Sequence, residues 1–304
     1  MAANYWASTQ RRHWQFTKDA LLDIRQKLED EDRALVQQYP LPDRRVQSHF
    51  FNQQLVKLGR RMTIRQQALA TAQVFIRRFY TKVEIRRTNP YLVMATALYL
   101  ACKMEECPQH IRVVVSEARS IWSEFIVSDI SKLGECEFFM ISEMNSQLIV
   151  HHPYRSLVEL QSTLNMAQEE VSLAWSIIND HYLTDLPLLY PPHVVAVTAI
   201  FLAMVLKPTQ AGLHAASNAA ATLSNVSQAI KGVEPSQLND VGATTPQGKV
   251  QSLVKWLGES EIDIKAVVDC SQEIISLYDI WDQGNEKTCR EQIARYVKAR
   301  GLDK

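Results

Sequence analysis

The residues of this sequence whose types and spacing could do chemistry are two charged groups, each heading an apolar helical stripe. Positions 100, 103 and 104 share one helical face, so Leu100, Lys103 and Met104 present two apolar groups beside a cation. Glu137, Ile141, Met144 and Leu148 follow one another at spacings of 4, 3 and 4, an apolar stripe with a carboxylate at its head. Side by side, the stripes would form an apolar groove with a basic and an acidic residue at its rim, which is the chemistry of gripping a helix of another protein. The same spacing arises if both stripes are internal core and Lys103 pairs with Glu137 inside its own domain. Covalent chemistry is not signalled: the sequence has no glycine-rich phosphate loop, no His-Glu-x-x-His and no nucleophile elbow. Cys102 and Cys107 lie five apart around a helix end with no second pair to complete a zinc set, so they read as structural cysteines. His151 and His152 are adjacent, diverge in direction and read as a linker pair. The expectation is a protein that is not an enzyme and uses no metal and no cofactor.

Lys103 ends the stretch around which the chain is organised, Pro90 to Glu106. Asn89 and Pro90 supply a helix start, and residues 92 to 102 run eleven positions without a charge. A helix apolar on all sides is buried on all sides, and eleven residues are too few for a bilayer, which needs about 20. The same helix recurs 102 positions later, with Pro90 over Pro192, Val93 over Val195, Thr96 over Thr198, Ala97 over Ala199, Leu100 over Leu202 and Ala101 over Ala203. Ala72 over Ala174 and Tyr80 over Tyr182 keep the offset through the preceding helix, which indicates a duplicated domain. Only the first copy ends in a lysine; the second has Val205 there.

The chain of 304 residues is long enough for two domains with their own cores, and nine glycines with helical apolar spacing nearly throughout indicate an all-α protein. A net charge of zero provides no overall field toward nucleic acid or anionic membrane. Five scattered cysteines do not form a disulfide framework, so a reducing compartment is expected. Met1 to Trp6 lacks a basic region followed by an apolar core, and the protein is expected to be intracellular and soluble.

Along the chain, Tyr5, Trp6 and Trp14 precede an amphipathic helix from about Thr17 to Asp32, with Ser8 or Thr9 able to cap an earlier one. The three aromatics either dock on the first domain or anchor a partner. Five helices are expected at about 46–60, 64–80, 90–106, 109–123 and 129–146, with Pro108 starting the fourth and Asp129 capping the fifth. Arg60, Arg61 and Arg65, and then Arg77, Arg78, Lys82, Arg86 and Arg87, form basic clusters. Arg78 lies opposite the apolar stripe of its helix with Arg77 at the flank, which reads as a solvated face, the alternative being an anion-binding one. The second copy gives helices at about 154–165, 167–184 and 192–206. Residues 208–249 hold four of the nine glycines and little to pack, and read as a largely disordered insertion. The helical pattern resumes at about 250–257, 262–282 and 286–299.

Two five-helix repeats of about 100 residues, with Leu100-Ala-Cys-Lys103-Met-Glu-Glu106 closing the third helix and Glu135-Cys-Glu137-Phe138 in the fifth, resemble the cyclin box. Asn4-Tyr-Trp-Ala-Ser8, Ile64-Arg-Gln-Gln-Ala-Leu-Ala-Thr-Ala72, Leu148-Ile-Val-His-His-Pro-Tyr-Arg155 and Thr184-Asp-Leu-Pro-Leu-Leu-Tyr-Pro-Pro192 are similar to the C-type cyclins of the Mediator kinase module. The resemblance covers 1–207 and 250–298. It implies two tandem cyclin boxes, at 45–150 and 151–285, between an N-terminal aromatic segment and helix (1–44) and a C-terminal helix and tail (286–304). It also implies a nuclear, non-catalytic subunit that binds and activates a cyclin-dependent protein kinase, with other Mediator kinase-module subunits as partners, in RNA polymerase II transcription. The family's kinase-contacting positions fall on Leu100, Lys103, Met104, Glu137, Ile141 and Leu148. The Met-Arg-Ala-Ile-Leu run with which cell-cycle cyclins dock substrates is replaced by Gln47 to Leu55, so docking on Phe51, Gln54 and Leu55 is not expected. A TFIIB-like core, which repeats the same fold and binds promoter DNA, is the competing reading. It would favour a strongly basic second repeat and a zinc ribbon, and neither is present.

Overall fold

The computed structural model describes residues 4–206, 246–281 and 286–304, and among these the chain is built from helices without a strand. Most of the 208–249 insertion, residues 208–245, lies outside the described residues.

The chain divides into two compact units, one comprising Met1–His152, Tyr182–Leu189 and Leu277–Lys304, the other Pro153–His181 and Tyr190–Ser276. The first unit begins with α1 (Thr9–His13), α2 (Lys18–Glu31) and α3 (Arg33–Gln38). Ser8 caps α1 through the Arg11 amide and Thr17 caps α2 through that of Ala20. Five helices follow: α4 (Arg44–Arg61), α5 (Gln66–Phe79), α6 (Pro90–Met104), α7 (Ile111–Ile121) and α8 (Ile130–Glu143). Asn89 caps α6 by accepting from the Tyr91 amide, with Pro90 in the first turn where its missing N–H costs nothing. Asp129 caps α8 as its position predicts, whereas α7 begins three residues beyond Pro108 because the cap there is His110.

The second copy gives α9 (Tyr154–Thr163), α10 (Gln168–His181), a short α11 (Leu186–Leu189) and α12 (Pro192–Val205). Then come α13 (Pro246–Glu259), α14 (Ile264–Trp281) and α15 (Glu286–Ala299). The start of α10 lies 102 residues after that of α5, and that of α12 lies 102 after that of α6. Thr96 and Thr198, Ala97 and Ala199, and Ala101 and Ala203 are all fully buried, so the duplication holds in three dimensions at the positions that revealed it.

In the first unit α6 is the central helix, packed by α4, α5, α7 and α8. Phe50, Leu55, Leu58, Phe75, Phe79, Met94 and Leu98 fill the space around it, none more than 2% exposed. The C-terminal α15 belongs to the same core, into which it sends Cys289, Ile293, Tyr296 and Val297. Its first residue, Glu286, accepts from Gln54 Nε2 at 2.8 Å, while Gln54 Oε1 accepts from the Trp122 indole at 3.0 Å. Phe51, Gln54 and Leu55 are all buried. In the second unit α12 packs against α10, α9 and α13 around Leu157, Ile178, Ala196, Ile200 and Leu202.

The arginines of α5 correct the expectation of a solvated face. Arg78 is fully buried, its guanidinium 5.2 Å from the ring centroid of Trp14 and donating to the carbonyl of Gln147 at 2.8 Å. Burial draws its pKa down to about 9. Arg77 donates through Nε to the Thr184 carbonyl at 2.5 Å. Arg86 pairs with Glu84 inside the protein, while Arg87 pairs with Asp32 at the surface. A solvated face is the usual fate of charge opposite an apolar stripe. Here Trp14, from a distant part of the chain, covers that side with an aromatic face that accepts a cation.

Candidate partner-binding site

Lys103 and Glu137 come together at the surface of the first unit. Lys103 sits in the last turn of α6, and Glu137 faces it from the middle of α8 because α8 packs along α6. The Lys103 ammonium donates to Glu137 Oε1 at 2.7 Å and Oε2 at 3.0 Å, and it lies 4.3 Å from the ring centroid of Tyr99, one turn earlier. Partial burial pulls the Lys103 pKa down, but the hydrogen bonds to Glu137 and the nearby Tyr99 ring outweigh this and leave it raised. The carboxylate is held within the packing at 11% side-chain exposure while the lysine remains 40% exposed. The pair is therefore made within the domain, as one of the two sequence readings had it, yet it opens to the surface instead of lying in the core.

The apolar positions divide. Met104 is 38% exposed beside the ammonium, and Ile141 and Leu148 pack partly buried against the edge of the core. Leu100, at 2% exposure, is a core residue and contributes no surface. Two apolar residues that the stripes did not include are exposed: Phe138 in α8 at 75% and Ile149, just after Leu148, at 53%. The helical wheel does place Phe138 beside Ile141, but a wheel does not tell which side of a helix meets water. Phe139 is half-turned inward, its ring edge-on to Phe79 at 5.3 Å.

The amino-terminal aromatics also divide. Trp14, 2% exposed under Arg78 and Lys82, is part of the core and cannot anchor an outside partner. Tyr5 is partly buried, its hydroxyl donating to Gln15 at 2.7 Å. Trp6 remains 56% exposed with the Arg11 guanidinium 5.0 Å above its ring.

Behind the end of α6 lies a polar cluster. Glu105 accepts from Thr71 at 2.5 Å and from Gln67 at 2.6 Å, and His152 sits between the Thr71 hydroxyl at 2.7 Å and the Tyr182 hydroxyl at 2.5 Å. Burial raises the Glu105 pKa, but His152 at 3.7 Å and the hydrogen bonds from Thr71 and Gln67 outweigh it and hold the carboxyl below its ordinary value. His151 diverges and bonds Gln10 through its backbone, as adjacency predicts. Among the described residues no group of three or more His, Cys, Asp or Glu side chains could hold a metal ion, and no helix is long and apolar enough to cross a membrane.

Comparison with known proteins agrees with this architecture. Residues 22–149 match the cyclin N-terminal domain family. The chain is 61% identical over 304 residues to an RNA polymerase II holoenzyme cyclin-like subunit of Aspergillus oryzae, with all of both chains covered. It is 52% identical over 345 aligned residues to one of Neurospora crassa, again covering both. Among solved structures, the fold is shared with a chain of a CAK complex from Chaetomium thermophilum bound to ATP-gamma-S, with a TM-score of 0.63, 20% identity, and 99% of this chain and 88% of that one covered. It is also shared with a chain of the yeast RNA Pol II CTD kinase CTDK-1 complex, with a TM-score of 0.62, 14% identity, and coverage of 95% and 84%. The helical repeat, the charged pair and the match in sequence over the whole chain meet in one conclusion: the chain belongs to the cyclin family, among the C-type cyclins represented by the RNA polymerase II holoenzyme cyclin-like subunits.

Proposed function

We propose that this chain is the regulatory cyclin subunit of a cyclin-dependent protein kinase in the Mediator kinase module, acting in the nucleus on RNA polymerase II transcription. It performs no chemistry itself. The observation that carries the reading is the Lys103–Glu137 pair, surface-open and flanked by Met104, Ile141, Leu148 and Phe138. The description of its relatives as subunits of the RNA polymerase II holoenzyme supports the reading, as does the kinase complex in which each fold neighbour was solved.

The mechanism follows from the pair's geometry. An ammonium has three donors and a carboxylate several lone pairs, so Lys103 and Glu137 keep capacity for a carbonyl and an amide of a partner segment laid across them. Apolar burial by Met104, Ile141, Leu148 and Phe138 supplies attraction without direction, and the charged pair fixes the register. A cyclin that binds the active orientation of the kinase's mobile helix better than the inactive one shifts the population between them. A contact difference of about 3 kcal/mol changes that ratio by roughly a hundredfold. The test is co-purification of the tagged chain with a protein kinase from nuclear extract, and its loss when Lys103 and Glu137 are both replaced by Ala. Recovery of the kinase by the doubly substituted, folded chain would refute the reading. Binding of promoter DNA in a gel shift by the chain alone would favour the TFIIB-like alternative.

A further inference from the structure

Two thiols meet where α6 ends. Cys102 is fully buried in the first unit, and Cys107, just past the helix, is partly buried against the same core. The turn between them is a Schellman closure. The Cys107 amide donates to the Cys102 carbonyl at 2.9 Å, and Glu106 adopts the left-handed conformation at φ 53°. A contact between the side chains at the two ends frequently accompanies such a closure. Here both ends are cysteines, and both pack into the same hydrophobic core. A bridge requires Cα atoms about 4.4–6.8 Å apart, and the bond from the Cys107 amide to the Cys102 carbonyl draws the two cysteine backbones together.

We propose that Cys102 and Cys107 are a redox modification site, forming a reversible disulfide on exposure to a peroxide and closing a covalent loop around Lys103, Met104, Glu105 and Glu106. Exposure assigns the roles. Burial, with the Cys107 thiol beside it, pushes Cys102 up to about 12, so it remains protonated and waits. Cys107 is the more exposed of the two. Its thiolate attacks the O–O bond of hydrogen peroxide, giving the sulfenic acid and hydroxide. The Cys102 sulfur then displaces the sulfenic oxygen, which leaves as water with the Cys102 proton, and the hydroxide takes up the proton that Cys107 had released. In sum two thiols and one peroxide become one disulfide and two waters, and a dithiol reductant reverses it. Intracellular disulfides are typically transient and redox-sensing, and a pair of neighbouring thiols with one accessible member fits that pattern. Burial pushes the Cys136 thiol up to about 11, and Cys270 and Cys289 are fully buried.

The experiment is peroxide treatment of the full chain, alkylation of the remaining thiols and peptide mapping by mass spectrometry. The expected result is a linked species carrying Cys102 and Cys107, lighter by two hydrogens, formed before any change at Cys136 and restored by dithiothreitol. Cys107→Ala should abolish it while keeping the wild-type melting curve. The proposal is overturned if Cys107 accumulates as sulfinic acid with Cys102 still alkylatable, or if the hydrogen loss maps to another pair. It is likewise overturned if both thiols remain alkylatable at a peroxide dose that oxidises a cysteine peptide. Because the readout is covalent and made on the isolated chain, it stands apart from whether Lys103 grips a kinase.

Discussion

Replacing Lys103 or Glu137 by Ala perturbs two quantities that the structure separates, the stability of the isolated chain and its hold on a kinase. The side chains are unequally exposed, 40% for Lys103 and 11% for Glu137. Glu137→Ala leaves an ammonium with access to water and to the Tyr99 ring, so the isolated chain should lose only about 0.5 kcal/mol, the range of an exposed ion pair. Lys103→Ala strands a mostly covered carboxylate, and its cost should be larger, about 1–2 kcal/mol, as for a polar group left without its partner. At an interface the order of magnitude changes, because closing the partner over the pair removes the remaining water. Truncating one member of a buried charged pair then costs about 2–5 kcal/mol, or roughly 30-fold to more than a thousandfold in Kd. The assay is a binding titration against the kinase beside a urea melt of each variant, with Val205→Ala, at the equivalent point of the second copy, as the control that should bind normally. Cooperative melts with weakened binding support the argument. Variants that bind as wild type, or that lose their folding transition, would refute it.

Three further outcomes follow from the packing. Gly59 lies where α4 meets α5, and a Cβ there would stand 2.5 Å from Leu69 Cδ2. Gly134 in α8 has nothing within 4 Å. Gly134→Ala should therefore raise stability by about 0.5–1 kcal/mol from helix propensity alone, while Gly59→Ala should lower it by about 1–2 kcal/mol from overpacking, both measured as shifts of urea midpoint. Trp14→Ala should cost about 3–5 kcal/mol by opening the core beneath Arg78, whereas Trp6→Ala should leave the melt unchanged. The depressed carboxyl of Glu105 adds stability that is present above its unfolded pKa, about 4.5, and is lost as pH falls through its lower folded value. Glu105→Gln should thus be less stable than wild type at pH 7 and converge with it as pH falls below about 4.5; a constant gap across that window would show that the carboxylate charge carries none of the effect.

What the sequence determined by itself was everything set by neighbours along the chain. Asn89-Pro90 and Asp129 start helices because a cap is a contact of two or three residues' reach, and the offset of 102 located the second copy because both copies must bury the same small residues. The Lys103–Glu137 pair was legible as a pair, since each heads a stripe with helical period. Tertiary structure alone decided which side of each helix meets what. The α6 helix is apolar all round, so its period carries no direction, and only packing shows that Leu100 turns into the core while Met104 turns out. Arg78 looked solvated because the ring that covers it is Trp14, and the surface of α4 around Gln54 disappeared because α15 returns from the far end of the chain to cover it. Phe138 remains 75% exposed because no described residue of the first unit covers that side of α8. Periodicity states which residues share a face; whether the face meets core, a distant segment or solvent is set by contacts between residues far apart in sequence.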